Sequence, residues 1–220
     1  MRSARWLAGH YVQHRFTVLF AVLLLAIAGH GFVGNVLPVA NPLEWLLGIS
    51  LVAVVFSARR GRLRWLLGGL TVGCVVARLA QGLLDHPAPL LVGPSLVAVV
   101  CGAAAGVAVH RAFASGPVDA ERICAALDAY LLVGIAFGAG YWLMETALPG
   151  SFSSGSAEPF SPPRAIYFSF VTQATVGFGD TVPMAEHAQG VVIAQGVGGQ
   201  MYLAVLVARL VSLYSAREKP

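Results

Sequence analysis

Six consecutive residues, Thr175-Val176-Gly177-Phe178-Gly179-Asp180, alternate two glycines with a β-branched and an aromatic residue. Glycine adopts backbone angles closed to other residues and lets a chain approach a ligand closely. Such a backbone can aim successive carbonyl oxygens one way, and a row of carbonyls can replace the water shell of a dehydrated monovalent cation. The same letters also suit a tight surface turn, where Gly-Asp pairs are common. The flanking residues decide between the two.

Ser161-Pro162-Pro163 supplies a capping residue and proline at the first helical position. No breaker follows from Arg164 to Ala174, which predicts a helix of about eleven residues, short of the roughly twenty that a bilayer crossing requires. A short helix followed by irregular backbone at membrane depth is a re-entrant loop, tolerated only where it lines a pore or is buried in protein. A surface turn requires no such helix.

Pro163 to Pro183, reading P-R-A-I-Y-F-S-F-V-T-Q-A-T-V-G-F-G-D-T-V-P, resembles the pore loop and selectivity filter of potassium channels. The resemblance implies K+ coordination by the carbonyls of Thr175, Val176, Gly177 and Phe178 and by the Thr175 hydroxyl. Gly179 and Asp180 become the outer end of the filter, and Tyr167, Phe168, Val171 and Thr172 its support from the pore helix. Four copies around one axis are implied, hence a homotetramer, with potassium ions bound and no organic cofactor. Phe178 stands where tyrosine is commoner in the family, Tyr167 and Phe168 where many members place tryptophans, and Val171 where some carry a carboxylate. Polar restraints behind the filter are thereby lost, so the expectation is a filter held mainly by apolar packing.

Stepping from the loop to the whole chain, 57% of the 220 residues are apolar and 11% charged, the composition of a polytopic membrane protein. The net charge of +4 does not indicate nucleic acid, because the basic residues fall between apolar segments rather than on one polar face. Those segments run near Phe16 to Val36, Leu43 to Ser57, Trp65 to Leu84, Leu90 to Phe113, Ile123 to Leu148 and Ala188 to Leu213. The expected fold is an all-α membrane protein with six transmembrane helices per subunit, a re-entrant pore helix and a filter. A short second segment leaves five spans as the alternative. Two regions follow: residues 1–118, a four-helix region, and 119–220, a pore domain of outer helix, pore helix, filter and inner helix. Met1 to Leu25 also has the charge and apolar run of a signal peptide, but the run continues to Val36 and serves as a first span.

Six spans put Arg2, Arg5, Arg15, Arg59, Arg60, Arg62, Arg64, Arg111, Arg122, Arg217 and Lys219 on one side. The other side holds Glu44, Asp85, Glu145, Glu158, Asp180 and Glu186, with Arg164 the basic exception. Positive charge marks the cytoplasmic side, so both termini are expected there, with the filter facing outward across a plasma membrane. Tyr202 to Arg209 resembles the inner helix of bacterial channels of this class, which implies a bacterial inner membrane.

The fourth segment has no arginine before Arg111, which argues against voltage gating. Gly196, Gly198 and Gly199 suggest a bend in the last segment. The resemblance makes Gly199 the gating-hinge candidate, with close packing on the pore helix as the alternative. Gly134-x-x-x-Gly138, Gly69-x-x-x-Gly73 and Gly102-x-x-x-Gly106 offer small faces to neighbouring helices, although chance spacing competes among 25 glycines. Gly/Ser-rich Pro149 to Ser161 reads as an exposed turret, Glu145 and Glu158 as mouth acids or ordinary loop acids, and His187 as a candidate external pH sensor. Asp128 reads as an anchor, with Arg122 or a neighbouring subunit as its partner. Cys74, Cys101 and Cys124 read as buried free thiols.

The functional expectation is passive, potassium-selective conduction with no enzymatic step and no regulatory ligand or subunit specified. A weakly selective monovalent cation channel is the nearest alternative. A transporter or a non-conducting membrane subunit represents a different class; a transporter calls for convergent ionisable residues inside spans, and none is visible.

Overall fold

The computed structural model describes residues 14–33, 68–69, 72–73, 88–114, 119–155 and 159–217. Their elements are α1 (Arg15–Val33), α2 (Ala88–Ala112), α3 (Ala120–Ala147), β1 (Phe152–Ser154), α4 (Pro162–Gln173), β2 (Thr181–Pro183) and α5 (Glu186–Arg217). Among the described residues, three helical stretches are long and apolar enough to cross a membrane: Val92–Ala112, Ala120–Ala147 and Glu186–Ser212. Arg15–Gly29 is a shorter apolar helix. These correspond to the first, fourth, fifth and sixth expected segments. The second lies outside the described residues, as does the third apart from residues 68–69 and 72–73. Arg59 to Arg64, Glu44, Cys74, Asp85 and Glu158 lie outside them too.

The described elements fall into two compact units. One holds α1, α2 from Ala103 and α3 as far as Leu131. Phe16, Leu19, Leu23 and Ala26 of α1 are buried at three- and four-residue spacing, the single apolar face expected of a packed helix. Asp119 caps α3, its Oδ1 accepting the Arg122 amide at 2.9 Å, and also meets Arg111 at 3.7 Å. The Glu121 carboxylate accepts the amides of Phe16 and Thr17, both at 3.2 Å, and the Thr17 hydroxyl at 2.7 Å. One acid in the first turn of α3 thus satisfies donors that the start of α1 leaves without intrahelical partners. Asp128 is wholly buried, and neither carboxylate oxygen has a hydrogen-bond partner among the described residues. The pairing with Arg122 is therefore not formed. Cys124, in this unit, and Cys101, in the second, are free thiols, the latter buried.

The second unit includes α3 from Leu132 through α5. Its core is aromatic: Tyr141 lies 5.2 Å from Phe152 and 5.4 Å from Phe168, and Phe152 stacks on Phe160 at 4.9 Å. Helix α4 starts with proline after Ser161, whose carbonyl accepts the Ala165 amide at 2.8 Å. It seats on the glycine face of α3. A Cβ on Gly134 would come within 2.5 Å of the Phe170 ring, and one on Gly138 within 2.7 Å of the Ile166 Cα. Gly134-x-x-x-Gly138 is therefore a packing face, whereas Cβ atoms at Gly69, Gly102 and Gly106 would meet nothing within 4 Å.

Strands β1 and β2 pair antiparallel, Phe152 with Pro183, Ser153 with Val182 and Ser154 with Thr181. The Gly155 amide to the Asp180 carbonyl and the Met184 amide to the Ser151 carbonyl, both 2.8 Å, close the two ends of the ladder. The turret expectation is corrected here. Ser151 and Phe152 are buried, because an aromatic side chain in that otherwise polar stretch pulls it onto the core.

Replacing Glu121 with Gln should expose the start of α1. Amide exchange at Phe16 and Thr17 is expected to rise about tenfold, the effect of weakening charge-assisted bonds at a helix start. Unchanged protection there would contradict the cap.

Candidate functional site

Helix α4 ends in a closure that sets the conformation of everything after it. The Thr175 amide donates to the Thr172 carbonyl at 3.0 Å, and the Val176 amide to the Val171 carbonyl at 2.9 Å. This pair of bonds, one inside the other, is the Schellman arrangement, which requires a left-handed residue just past the cap. Thr175 takes that place at φ 56°, where glycine is usual, and among the described residues it is the one non-glycine with positive φ. Holding an L-residue there costs about 1–2 kcal/mol. A glycine would remove the cost and the hydroxyl together.

Gly177 and Gly179 follow at φ 60° and 76°, while Val176 and Phe178 stay on the negative side. The sign of φ therefore alternates over Thr175 to Gly179. In a regular strand, successive carbonyls point to opposite sides. Alternating the sign of φ turns every second peptide plane over, which brings the oxygens to one side. All five residues are exposed, Val176 by 52% and Phe178 by 69%, so the row of oxygens is not spent on internal hydrogen bonds of a helix or sheet. Carbonyls so arranged are the donors a desolvated monovalent cation requires. A single chain supplies one wall of such a shell. The C-terminal end of the α4 dipole, at Ala174, adds negative potential beside it.

The four expected support residues all lie against this segment or its helix, by different means. Tyr167 stacks on Phe178, ring centres 6.5 Å apart and planes 2° from parallel. Its hydroxyl also donates to the Asp180 carboxylate. Burial and then that hydrogen bond hold the Tyr167 phenol above its ordinary value. Phe168 turns into the aromatic core, and Val171 is buried. Val171 and Thr172 contribute through their carbonyls, as acceptors in the closure.

The expectation of apolar restraint alone is corrected. Gln173, Gln195, Ser169 and Tyr141 are all buried and joined. Tyr141 donates to Gln195 Oε1 at 2.6 Å, and Gln195 Nε2 reaches Gln173 Oε1 at 3.0 Å and Ser169 Oγ at 2.7 Å. The physical reason is general: buried amides and hydroxyls must pair, and α3, α4 and α5 each bring one to the same place. The signal in the sequence was two glutamines and a serine inside apolar helices.

Gly199 is also an element of this contact. A Cβ there would lie 2.9 Å from both Cγ and the carbonyl oxygen of Gln173, and α5 runs through it as one helix. Close packing on α4 is thus observed. At the outer side, Glu145 is neither a mouth acid nor a solvated one: its carboxylate accepts the Gly150 and Phe152 amides, each at 2.9 Å, fixing the turn after α3. His187 Nε2 lies 3.1 Å from Ser151 Oγ, which ties α5 to the same turn. Among the described residues, no group of three His, Cys, Asp or Glu side chains is disposed to hold a metal ion.

Residues 129–216 match a protein-family model described as "Ion channel". The protein "Two pore potassium channel c" of Oryza sativa subsp. japonica is 34% identical over 86 residues, which span 39% of this chain and 17% of that relative. No solved structure matches the chain. The pore-loop family of potassium channels, read above from Pro163 to Pro183, is the family these matches support.

Gly199→Ala separates packing from backbone stiffness. Alanine favours a helix over glycine by about 1 kcal/mol, which alone would raise stability. Contact with the Gln173 carbonyl opposes this, so the variant is expected to melt below the wild type. A rise in melting temperature would contradict the observed packing as the constraint on this residue.

Proposed function

We propose that the chain is the subunit of a homotetrameric, potassium-selective channel that conducts K+ passively across a plasma membrane, with no enzymatic step. The observation that carries this reading is the alternating sign of φ over Thr175 to Gly179 in an exposed segment of an ion-channel sequence. In this reading the carbonyls of Thr175, Val176, Gly177 and Phe178 and the Thr175 hydroxyl replace K+ hydration. Gly179 and Asp180 form the outer end.

Four copies are needed because one segment faces an ion from one side only. The surface of α5 favours such an assembly. Ile193, Val197, Met201 and Val205, four residues apart, leave an apolar stripe of 52–65% exposure beside the exposed filter segment. The absence of voltage gating is supported by α2, whose basic residues, His110 and Arg111, are confined to its last turn. Both termini are placed in the cytoplasm by the charge pattern, and a bacterial inner membrane follows from the inner-helix resemblance. Gly199 keeps the hinge role as a proposal: its contact with Gln173 belongs to one conformation, and release of that contact would accompany bending.

A weakly selective cation channel is the second reading. It is favoured by Phe178, which is 69% exposed and whose ring has no hydroxyl to bond the pore helix. Purified protein in liposomes under bi-ionic K+/Na+ conditions distinguishes these: a reversal potential following K+ supports the selective channel, one near zero the weakly selective one, and no flux a non-conducting subunit. Gly177→Ala, at φ 60°, introduces a left-handed L-residue at a cost of about 1–2 kcal/mol and should abolish K+ flux while tetramers still form.

Tyr167→Phe keeps the ring stack and removes the bond to Asp180, so channels carrying it should lose current faster during sustained opening. The phenol is raised, so the bond is intact through neutral pH and is lost only as pH climbs past the ordinary phenol value of about 10. An alkaline decline in wild-type current that Tyr167→Phe abolishes checks this assignment.

A further inference from the structure

We propose that Gln195 is a positioning residue that couples the inner helix to the filter entrance, holding the end of the pore helix through Gln173. This rests on the channel reading above and goes beyond it, since it assigns a transmission path between two elements of the pore.

Donors and acceptors match in one direction throughout. Tyr141 of α3 donates its hydroxyl to Gln195 Oε1 at 2.6 Å, using the amide's acceptor. Gln195 Nε2 then donates to Gln173 Oε1 at 3.0 Å, to Ser169 Oγ at 2.7 Å and to the Ser169 carbonyl at 3.2 Å. The Ser169 hydroxyl, free to donate because it accepts from Gln195, passes its own hydrogen to the Gly134 carbonyl at 2.6 Å. Three helices meet at one side chain that is 2% exposed. An apolar residue at 195 would fill the space but leave the Gln173 side-chain oxygen and the Tyr141 hydroxyl buried without these partners.

Gln173 is the last residue of α4, two before Thr175, and α5 grips it twice. One turn of α5 holds its side chain through Gln195. The next holds its main chain: Gly199 lies against the Gln173 carbonyl, which also accepts from Gln200 Nε2 at 3.5 Å. The closure bonds from Thr175 and Val176 reach the preceding residues of the same helix end. Rotation or bending of α5 between Gln195 and Gly199 must therefore either break a buried amide contact or carry the end of α4 with it. Packed contacts of this kind have two discrete arrangements rather than a continuum, which is what allows a shift in one element to be read in another.

The test uses the full chain reconstituted in planar bilayers, measuring relative Na+ permeability and mean open time. Gln195→Met preserves bulk and removes the amide. It should raise relative Na+ permeability about tenfold, the size expected from one unmet buried hydrogen-bonding group. Gln173→Met should do the same, and the double variant should be no worse than either single, because both remove one shared contact. Tyr141→Phe keeps the aromatic packing and should give a smaller shift of the same sign; it decides the matter if Gln195→Met does not assemble. Tetramers of these variants with wild-type permeability and open time would overturn the coupling, and so would fully additive effects in the double variant. A wild-type protein that passes no cation at all would overturn the channel reading and the coupling together.

Discussion

The left-handed backbone of Thr175 is where the described structure is most constrained. A helix that ends in two nested hydrogen bonds must place the next residue at positive φ, and the sequence offers a threonine for it. The strain is held by the packing of α4 against α3 and α5. From that residue the alternation through Gly177 and Gly179 follows, and with it a row of oxygens without partners in the chain's own helices or strands. Remove the closure and the segment has no reason to be anything but a loop.

The surroundings of α4 serve that constraint. Gly134 and Gly138 let the helix settle onto α3, Phe168 locks one face into the aromatic core, and Gly199 brings α5 against its last residue. On the far side of the segment, β2 is paired to β1, and the turn before β1 is fixed by Glu145 and Ser151. Both ends of the exposed row are thus anchored in the same unit, which suits a backbone that must keep its shape while ions displace one another along it.

Much of this was legible in the residues. Pro162 and Pro163 after Ser161 announced the start of α4, the T-V-G-F-G-D run announced its irregular sequel, and span lengths announced α3 and α5. Other features were not legible for a physical reason: they depend on which residues of distant segments meet. The glutamines at 173 and 195 and the tyrosine at 141 carry no period or motif, and their meaning appears only when three helices bring them within hydrogen-bond reach. Glu145 looked like a mouth acid because charge counting knows nothing of the two amides folded back onto it. Phe152 likewise sat in a stretch whose composition said loop, and a single buried ring outweighed that composition.

The central claim is that backbone oxygens of Thr175 to Phe178, contributed by several copies, take the place of water around K+. A map of the assembled protein with thallium in place of potassium tests it most directly, because the heavier ion marks its own sites. The account predicts ion density on a fourfold axis, in line with those carbonyls. Density absent from that axis, or a segment whose oxygens face away from it, would contradict the account.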